Sequence, residues 1–264
     1  MIDLEKITDQ IEAAALQAEK FIIQEAGRFE KKDTETKGLH DFVSYVDKGS
    51  EVMLAEMLKK ILPEAGFIAE EGTVSKKGPR YNWIIDPLDG TTNFVHGIHP
   101  YAISIALAEN GEPVAGVVCN VNGNELFKAW KKGGSWLNGR RIHASSATCL
   151  ADSLVATGFP YNDFSRLSKY MKSLTHFCKT THGIRRLGSA SIDLAYVACG
   201  KFEAFYEYDL KIWDVAAGNL LVREAGGRVS DFSGNEKLLN GSEIVAACHN
   251  VFPEFLENVS KFMV

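Results

Sequence analysis

The sequence lacks the cysteine pattern that a disulfide framework or a zinc knuckle would need. Its five cysteines are an odd number, and no two of them stand at the CxxC spacing. Small disulfide-stapled domains and structural zinc sites both depend on paired cysteines. We therefore expect buried free thiols in a reducing compartment at Cys119, Cys149, Cys178, Cys199 and Cys248.

Long apolar runs and an excess of positive charge are also missing. The longest apolar stretches, such as the one from Ala102 to Ala108, are far too short to cross a bilayer. The amino-terminal residues are polar and show no signal peptide. A formal net charge of −5 gives no general attraction to a nucleic-acid backbone. These features predict a cytoplasmic protein with no membrane partner and no nucleic-acid partner.

The apolar pattern divides the chain into two halves, residues 1–147 and 148–264. The 264 residues are enough for one large domain or two medium ones. In the first half, apolar periodicity predicts an α+β arrangement around an antiparallel sheet. Its expected elements are helices over residues 3–30 and 47–62, a mobile loop over 30–38, strands over 42–46, 66–69 and 81–85, and a meander over 101–142.

The second half alternates strands with helices, which is typical of an α/β arrangement. The expected strands cover residues 154–157, 202–206, 229 and 244–247. The expected helices cover residues 164–177, 189–198, 215–225 and 252–262.

The strongest chemical signal is the segment of residues 83–93, Trp-Ile-Ile-Asp-Pro-Leu-Asp-Gly-Thr-Thr-Asn. Two aspartates three positions apart, Asp86 and Asp89, follow a buried strand, and Pro87 fixes the backbone between them. Gly90 lets the main chain approach a ligand closely, and the residues after it can open a helical turn that faces an anion. Carboxylates beside an anion site favour bound cations, and such hard oxygen ligands suit Mg²⁺ better than zinc.

Three other interpretations of this segment are alternatives to a magnesium site. An EF-hand needs a Glu at the twelfth position from Asp86, where this chain has Gly97. A haloacid-dehalogenase phosphatase needs a nucleophilic Asp where this chain has Pro87. A capped helix start, with Asp89 satisfying backbone donors, stays open on this segment alone.

Further acidic residues follow other predicted strands or begin helices. Glu70-Glu71 ends the strand before the segment, and Asp214 lies at the start of a predicted helix. Together these pieces resemble the inositol monophosphatase family over nearly the whole chain, in the family's order and spacing. The matching segments are residues 37–47, 70–71, 86–93, 188–190, 207, 213–218 and 224–227, and residues 156–161 resemble the bacterial branch.

The resemblance implies the layered αβαβα sandwich of the lithium-sensitive sugar phosphatases. It implies two tightly bound Mg²⁺ ions, and a third, looser one near Glu70 is common in the family. The implied ligands are Glu70, Asp86 and the carbonyl of Leu88 for the first cation, and Asp86, Asp89 and Asp214 for the second. The implied catalytic residues are Asp47, Glu70 and Thr91, of which Asp47 and Thr91 orient the attacking water. The implied substrate contacts are Gly90, Thr91, Gly188, Ser189, Ala190 and Glu207.

The implied reaction is hydrolysis of myo-inositol 1-phosphate to myo-inositol and phosphate, in a homodimer. Related phosphatases of fructose 1,6-bisphosphate, histidinol phosphate or phosphoadenosine phosphate remain alternatives. Some bacterial relatives also act as regulators that contact the transcription machinery. Arg185-Arg186 could make such a contact, although we favour a surface or dimer-interface pair. Lys37 lies in a loop that could close over the site or remain solvated.

Overall fold

Seven helices and fourteen strands lie in the part of the chain that the structure, a computed structural model, describes. This part comprises residues 2–29, 34–38, 41–74, 76–236 and 242–264, with the backbone alone at 34–38 and 41–43. The helices are α1 (Leu4–Ala26), α2 (Tyr45–Ile61), α3 (Thr91–His96), α4 (Leu167–Thr180), α5 (Ala190–Ala198), α6 (Ile212–Glu224) and α7 (Phe252–Met263). The strands of the first half are β1 (Thr34–Gly38), β2 (Asp41–Ser44), β3 (Gly66–Ala69), β4 (Tyr81–Asp89), β5 (Ala102–Glu109), β6 (Glu112–Asn120), β7 (Glu125–Trp130), β8 (Gly134–Leu137) and β9 (Arg140–Ile142). The strands of the second half are β10 (Leu154–Thr157), β11 (Gly183–Arg185), β12 (Ala204–Tyr208), β13 (Arg228–Ser230) and β14 (Glu243–Ala247).

The larger sheet has seven strands in sequence order, from β3 to β9. β3 and β4 run parallel, and every later neighbour is antiparallel. Two of its hairpins turn through Asn110-Gly111 and Asn138-Gly139, whose four residues all have positive φ. Two-residue Asn-Gly loops of this kind match the twist of the strands that they join. The predicted antiparallel meander is therefore confirmed.

The smaller sheet has five strands in the order β11-β10-β12-β14-β13. β10 runs parallel to β11 and to β12, whereas β14 is antiparallel to both of its neighbours. The sheet is mixed because the chain returns from β13 to β14 without a crossover helix.

Helices and sheets alternate in five layers. α1 and α2 cover one face of the larger sheet, and α5 and α6 lie between the two sheets. α4 and α7 cover the outer face of the smaller sheet. Each sheet is thus buried on both faces, which explains the nearly continuous apolar runs in the central strands. The predicted αβαβα sandwich is confirmed, and the division at residues 147 and 148 stays a prediction.

The sequence reading was wrong where local composition conflicted with pairing. Residues 34–38 were expected in a loop, but they form β1 and pair antiparallel with β2. Residues 30–33 and the side chain of Lys37 lie outside the described part of the chain. The strand expected over 42–46 ends at Ser44, because the Ser44 hydroxyl accepts a hydrogen bond from the N–H of Val46 and caps α2.

Two boundaries near the expected site also differ. The strand expected to end at Tyr206 continues to Tyr208, so Glu207 lies inside β12 and not after it. α6 begins at Ile212, which puts Asp214 in its first turn and not at its cap. In both cases pairing or capping by neighbouring residues extends the element beyond its apolar pattern.

All five cysteines are free, as expected, but only two of them are buried. Cys119 and Cys248 lie in the core, Cys178 is exposed, and Cys149 and Cys199 are partly exposed. The expectation of five buried thiols was therefore wrong for three positions. No helix in the described ranges is long and apolar enough to cross a membrane.

The contact between α5 and α6 depends on the missing side chain of Gly218. A Cβ atom at this position would lie 2.6 Å from Cβ of Leu194, well inside van der Waals contact. We expect Gly218→Ala to lower the free energy of unfolding by about 1–3 kcal/mol, since overpacking should outweigh the better helix propensity of alanine. Urea unfolding measures this change.

Gly27→Ala is the matched control. Gly27 follows α1 with a φ of −70°, and a Cβ atom there would meet nothing closer than 3.6 Å. Its stability should stay within about 0.5 kcal/mol of the unsubstituted protein. Equal losses in the two variants would contradict the steric explanation.

Candidate active site

One polar cavity of about 290 Å³ collects most of the residues singled out in the sequence. It opens where the ends of β4 and β12 meet the first turns of α3, α5 and α6. Asp47 is not among the residues that line the cavity, but its side chain contacts Thr91, which does line it. The predicted residues that line it are Glu70, Asp86, Leu88, Asp89, Gly90, Thr91, Gly188, Ser189, Ala190, Glu207 and Asp214.

Asp86 is the centre of the acidic group. Its side chain is buried, and Glu70, Asp89 and Asp214 lie close enough to it to raise its pKa. Burial, followed by repulsion from neighbouring carboxylates, raises the pKa of Glu70 and of Asp86 well above the usual range. Burial and repulsion from Asp89 raise the pKa of Asp214 to about 7. These acids therefore hold their protons more tightly than free carboxyl groups do.

The chemistry of these acids suits a hard cation, although their present arrangement does not surround one. Within the described ranges, no group of three or more acidic, histidine or cysteine side chains is arranged to hold a metal ion as it stands. The donors that line the cavity are carboxylate and carbonyl oxygens, the ligands that Mg²⁺ prefers. A divalent cation would relieve the mutual repulsion of these carboxylates. The donor set therefore fits magnesium.

Asp89 joins the two halves of the chain. Its Oδ2 accepts hydrogen bonds from the Ser189 hydroxyl at 2.6 Å, the Ser191 amide at 2.8 Å and the Ser191 hydroxyl at 2.5 Å. Ser189 precedes α5 and makes no side-chain cap of its own, so Asp89 caps that helix from another strand. The pKa of Asp89 is raised by burial, and the serine bonds oppose this rise. Ser189, expected at the substrate, donates its hydroxyl hydrogen to Asp89.

Asp47 and Thr91 are in direct contact. The Thr91 hydroxyl lies 3.0 Å from Oδ1 of Asp47 and 3.0 Å from the carbonyl oxygen of Leu88. The other oxygen of Asp47 accepts from the Ser44 amide at 2.8 Å and the Ser44 hydroxyl at 2.5 Å. Burial raises the pKa of Asp47, and these bonds oppose the rise. The Thr91 hydroxyl is the donor in both contacts, so its oxygen lone pairs remain available to accept a hydrogen bond from water.

The backbone between the two aspartates of β4 is held by side chains. Oδ1 of Asp86 accepts a hydrogen bond from the Leu88 amide at 2.9 Å, which turns the Leu88 carbonyl toward Thr91. Gly90 then approaches Gly188 so closely that a Cβ atom on Gly90 would lie 3.0 Å from the Gly188 carbonyl oxygen. Two glycines therefore bring the two halves together at the floor of the cavity.

Glu207 occupies the far wall of the cavity. Its side chain is buried, and Gly158 lies directly against it: a Cβ atom on Gly158 would be 1.9 Å from Oε1. Burial raises the pKa of Glu207 well above its usual range, and the positive charge of Arg186 opposes the rise. The carboxylate thus faces the cavity in a position that no other residue at 158 would permit.

The sequence reading missed the place of Arg186. Arg185 is exposed, as expected for a surface pair, but Arg186 lines the cavity. Its Nη2 donates a hydrogen bond to the Tyr161 hydroxyl oxygen at 2.7 Å, and its guanidinium lies 5.7 Å from the ring centre of Phe159. Only the aromatic residues at 159 and 161 hinted at a cation partner, and sequence spacing does not bring them to residue 186.

Comparison with known proteins identifies the family to which this arrangement belongs. The profile of the inositol monophosphatase family matches residues 3–261. The chain belongs to the inositol monophosphatase family. Its cavity, with the acids of β4 at the centre, is therefore the candidate active site of a family phosphatase.

Relatives of this family carry two kinds of name. An inositol-1-monophosphatase of Rhizobium meliloti is 41% identical over 249 residues, which are 94% of each chain. The Nus factor SuhB of Pseudomonas aeruginosa is 40% identical over 251 residues, 93% of each chain. The crystal structure of the extragenic suppressor protein suhB of Bartonella henselae superimposes with a TM-score of 0.91 at 37% identity, covering 97% of this chain and 99% of that one.

The raised pKa of Asp214 predicts how the stability of the cation-free protein changes with pH. The pKa of Asp214 is about 7 in the folded state and near 3.8 in the unfolded chain. The folded state therefore binds this proton more tightly. The resulting stabilisation is complete below pH 4 and is lost as pH rises through about 7. In EDTA, unfolding free energy should therefore fall by on the order of 2 kcal/mol between pH 5.5 and pH 8.

Asp214→Asn should make this pH dependence less steep, while the raised pKa values of Glu70 and Asp86 keep part of it. The asparagine side chain can still accept the hydrogen bond that the Lys211 amide makes to Oδ2 at 2.6 Å, so α6 keeps its first-turn bond. The exposed Glu257→Gln serves as the control and should leave the slope unchanged. An equally steep loss in Asp214→Asn would contradict the assignment.

Proposed function

We propose that this chain is a Mg²⁺-dependent phosphatase that hydrolyses an inositol monophosphate, with myo-inositol 1-phosphate as the leading substrate. The observation that supports this most is the group formed by Glu70, Asp86, Asp89 and Asp214 at one cavity. A phosphate monoester is a dianion, and no site that stayed this acidic could bind it. Cations must therefore reverse the charge of the cavity before the substrate enters.

The proposed cation ligands are the carboxylates whose pKa values are raised at the cavity. Glu70, Asp86 and the Leu88 carbonyl would hold one tight Mg²⁺, and Asp86, Asp89 and Asp214 would hold a second. A third, weaker site near Glu70 belongs to the same proposal. Bound Mg²⁺ supplies charge neutralisation of the phosphate and a lowered pKa of water.

Asp47 and Thr91 are proposed to orient the attacking water. Oδ1 of Asp47 receives the hydrogen of the Thr91 hydroxyl, so the oxygen of Thr91 can accept a hydrogen bond from that water. The Ser44 bonds hold Asp47 in place, because both end on its other oxygen. Thr91 thus aims the water, while Glu70 is proposed to bind the cation that activates it.

Glu207 is proposed to select a polyol. An ionised acid can accept hydrogen bonds from two adjacent hydroxyl groups, at roughly 1.5–3 kcal/mol each. Arg186 favours the ionised form, which burial alone would oppose. The same carboxylate would repel a second phosphate, which disfavours bisphosphates. Gly90, Gly188, Ser189 and Ala190 are proposed to shape the phosphate and ring positions beside it.

A second candidate function is regulatory. The relative from Pseudomonas aeruginosa is named a Nus factor, so this chain could also contact the transcription machinery, and the exposed Arg185 is available on the surface. Phosphate release with and without Mg²⁺ separates an enzyme from a pure binding protein.

A cytoplasmic homodimer with no nucleic-acid partner completes the proposal, and the other sugar-phosphatase substrates remain its alternatives.

Asp86→Asn tests the cation assignment. Because Asp86 would bind both tight cations, we expect kcat for phosphate release at saturating Mg²⁺ to fall by about a thousandfold or more. The cation-free variant should remain folded, since the substitution removes a repelling charge. Release of inorganic phosphate and circular dichroism measure the two effects.

The exposed Asp152→Asn is the control and should keep ordinary activity. An Asp86→Asn enzyme that works at ordinary Mg²⁺ concentrations would reject the two-cation site. A wild-type protein that releases no phosphate from any ester in a panel of sugar and inositol phosphates would reject the enzyme function altogether.

Glu207→Gln tests the substrate. We expect KM for myo-inositol 1-phosphate to rise about tenfold, because one charge-assisted bond is weakened. Hydrolysis of p-nitrophenyl phosphate, which has no polyol, should change far less. Gly158→Ala should act in the same direction, since its methyl group would displace the Glu207 carboxylate. Equal losses on both substrates would show that Glu207 supports the cation site or the fold instead.

A further inference from the structure

A second acid on α2 is buried behind the site and has no role in the reaction described above. Glu51 lies one helical turn after Asp47 and is completely buried. Its Oε2 accepts a hydrogen bond from the Glu71 amide at 2.7 Å. Its Oε1 accepts from the Thr73 amide at 2.7 Å and from the Thr73 hydroxyl at 2.6 Å. One carboxylate therefore receives three donors from the loop that follows β3.

The loop of residues 70–73 is folded around this carboxylate. Gly72, between the two amide donors, has a φ of +67°, which lets both N–H groups point to the same side. Backbone turns of this kind form concave anion sites. Here the anion is the side chain of Glu51, supplied by the neighbouring helix. Without it, the amides of Glu71 and Thr73 and the Thr73 hydroxyl would lose their partner.

This loop also carries Glu70. The Glu70 amide donates to the Ile85 carbonyl oxygen at 3.2 Å, which ties it to β4, and Glu71 is tied to Glu51 immediately afterwards. The backbone is thus fixed on both sides of the residue whose side chain meets Asp86. A shift of this loop would move the Glu70 carboxylate away from the acidic group.

We propose that Glu51 is a positioning residue for cation binding, which holds the 70–73 loop so that the Glu70 carboxylate points at Asp86. The inference rests on the proposed function, because it takes Glu70 to be a cation ligand. A purely structural buried acid would stabilise the fold without affecting cation affinity. The two roles therefore differ in a measurable quantity, the dissociation constant for Mg²⁺.

The test is isothermal titration of the full chain with MgCl₂, without substrate. Glu51→Gln keeps the size of the side chain but offers an amide group to amide donors, so the loop should loosen. We expect the Kd for Mg²⁺ to rise about 10- to 100-fold, the usual effect of removing a residue that orients a ligand. Glu56→Gln, an exposed acid on the same helix, is the matched control and should bind Mg²⁺ with unchanged affinity.

Thr73→Val provides a milder variant in case Glu51→Gln does not fold. It removes one of the three hydrogen bonds and leaves both amides in place, so a two- to tenfold rise in Kd is expected, that is, roughly the worth of one hydrogen bond. A folded Glu51→Gln protein with wild-type Mg²⁺ affinity would overturn the proposal. So would an unfolded Glu51→Gln together with unchanged affinity in Thr73→Val.

The same titration separates this inference from the proposed function. If Glu51→Gln weakens Mg²⁺ binding in a protein that hydrolyses no phosphate ester, the positioning role stands and the phosphatase function falls. If the wild-type chain binds no Mg²⁺, both are rejected. A loss of melting temperature in Glu51→Gln at unchanged Kd would assign Glu51 to the fold alone.

Discussion

Repulsion between carboxylates in one cavity is the constraint on which the rest of this structure depends. Burial, and then repulsion from neighbouring carboxylates, raises the pKa values of Glu70, Asp86 and Asp214. Without other contacts to hold them, neighbouring ionised acids would separate, or they would stay protonated. The folded chain keeps them together because the strands, loops and helices that carry them are held by contacts made elsewhere in the fold. Repulsion of this kind favours bound protons or bound cations at the site.

The frame that holds the acids is made from other hydrogen-bonded carboxylates. Asp47 accepts from Ser44 at the start of α2, Glu51 accepts from the loop after β3, and Asp89 accepts from the first turn of α5. Each of these acids accepts three hydrogen bonds from described residues, whereas Asp86 and Asp214 at the cavity centre each accept one, from the Leu88 and Lys211 amides. Helix ends and loops thus fix the geometry, and the charge at the cavity centre is compensated less.

The far wall of the cavity has a different balance of charge. Glu207 is buried against Gly158, and Arg186, held by Tyr161, supplies the compensating positive charge. Glu207 lies in β12, so this wall belongs to the smaller sheet. Of the four acids at the cavity centre, Glu70, Asp86 and Asp89 lie in or directly after strands of the larger sheet. The floor where Gly90 meets Gly188 joins the two.

The sequence by itself determined most of the elements and the acidic character of the cavity. Apolar periodicity located most helices and strands, because each sheet face and each helix stripe is buried, and the spacing of Asp86, Asp89 and Gly90 indicated an oxygen-rich anion and cation site. Only the tertiary structure decided which acids have donors and which do not. Glu51 and Arg186 show the reason: their partners, residues 71–73 and Tyr161, are about twenty or more positions away, and only packing brings them together.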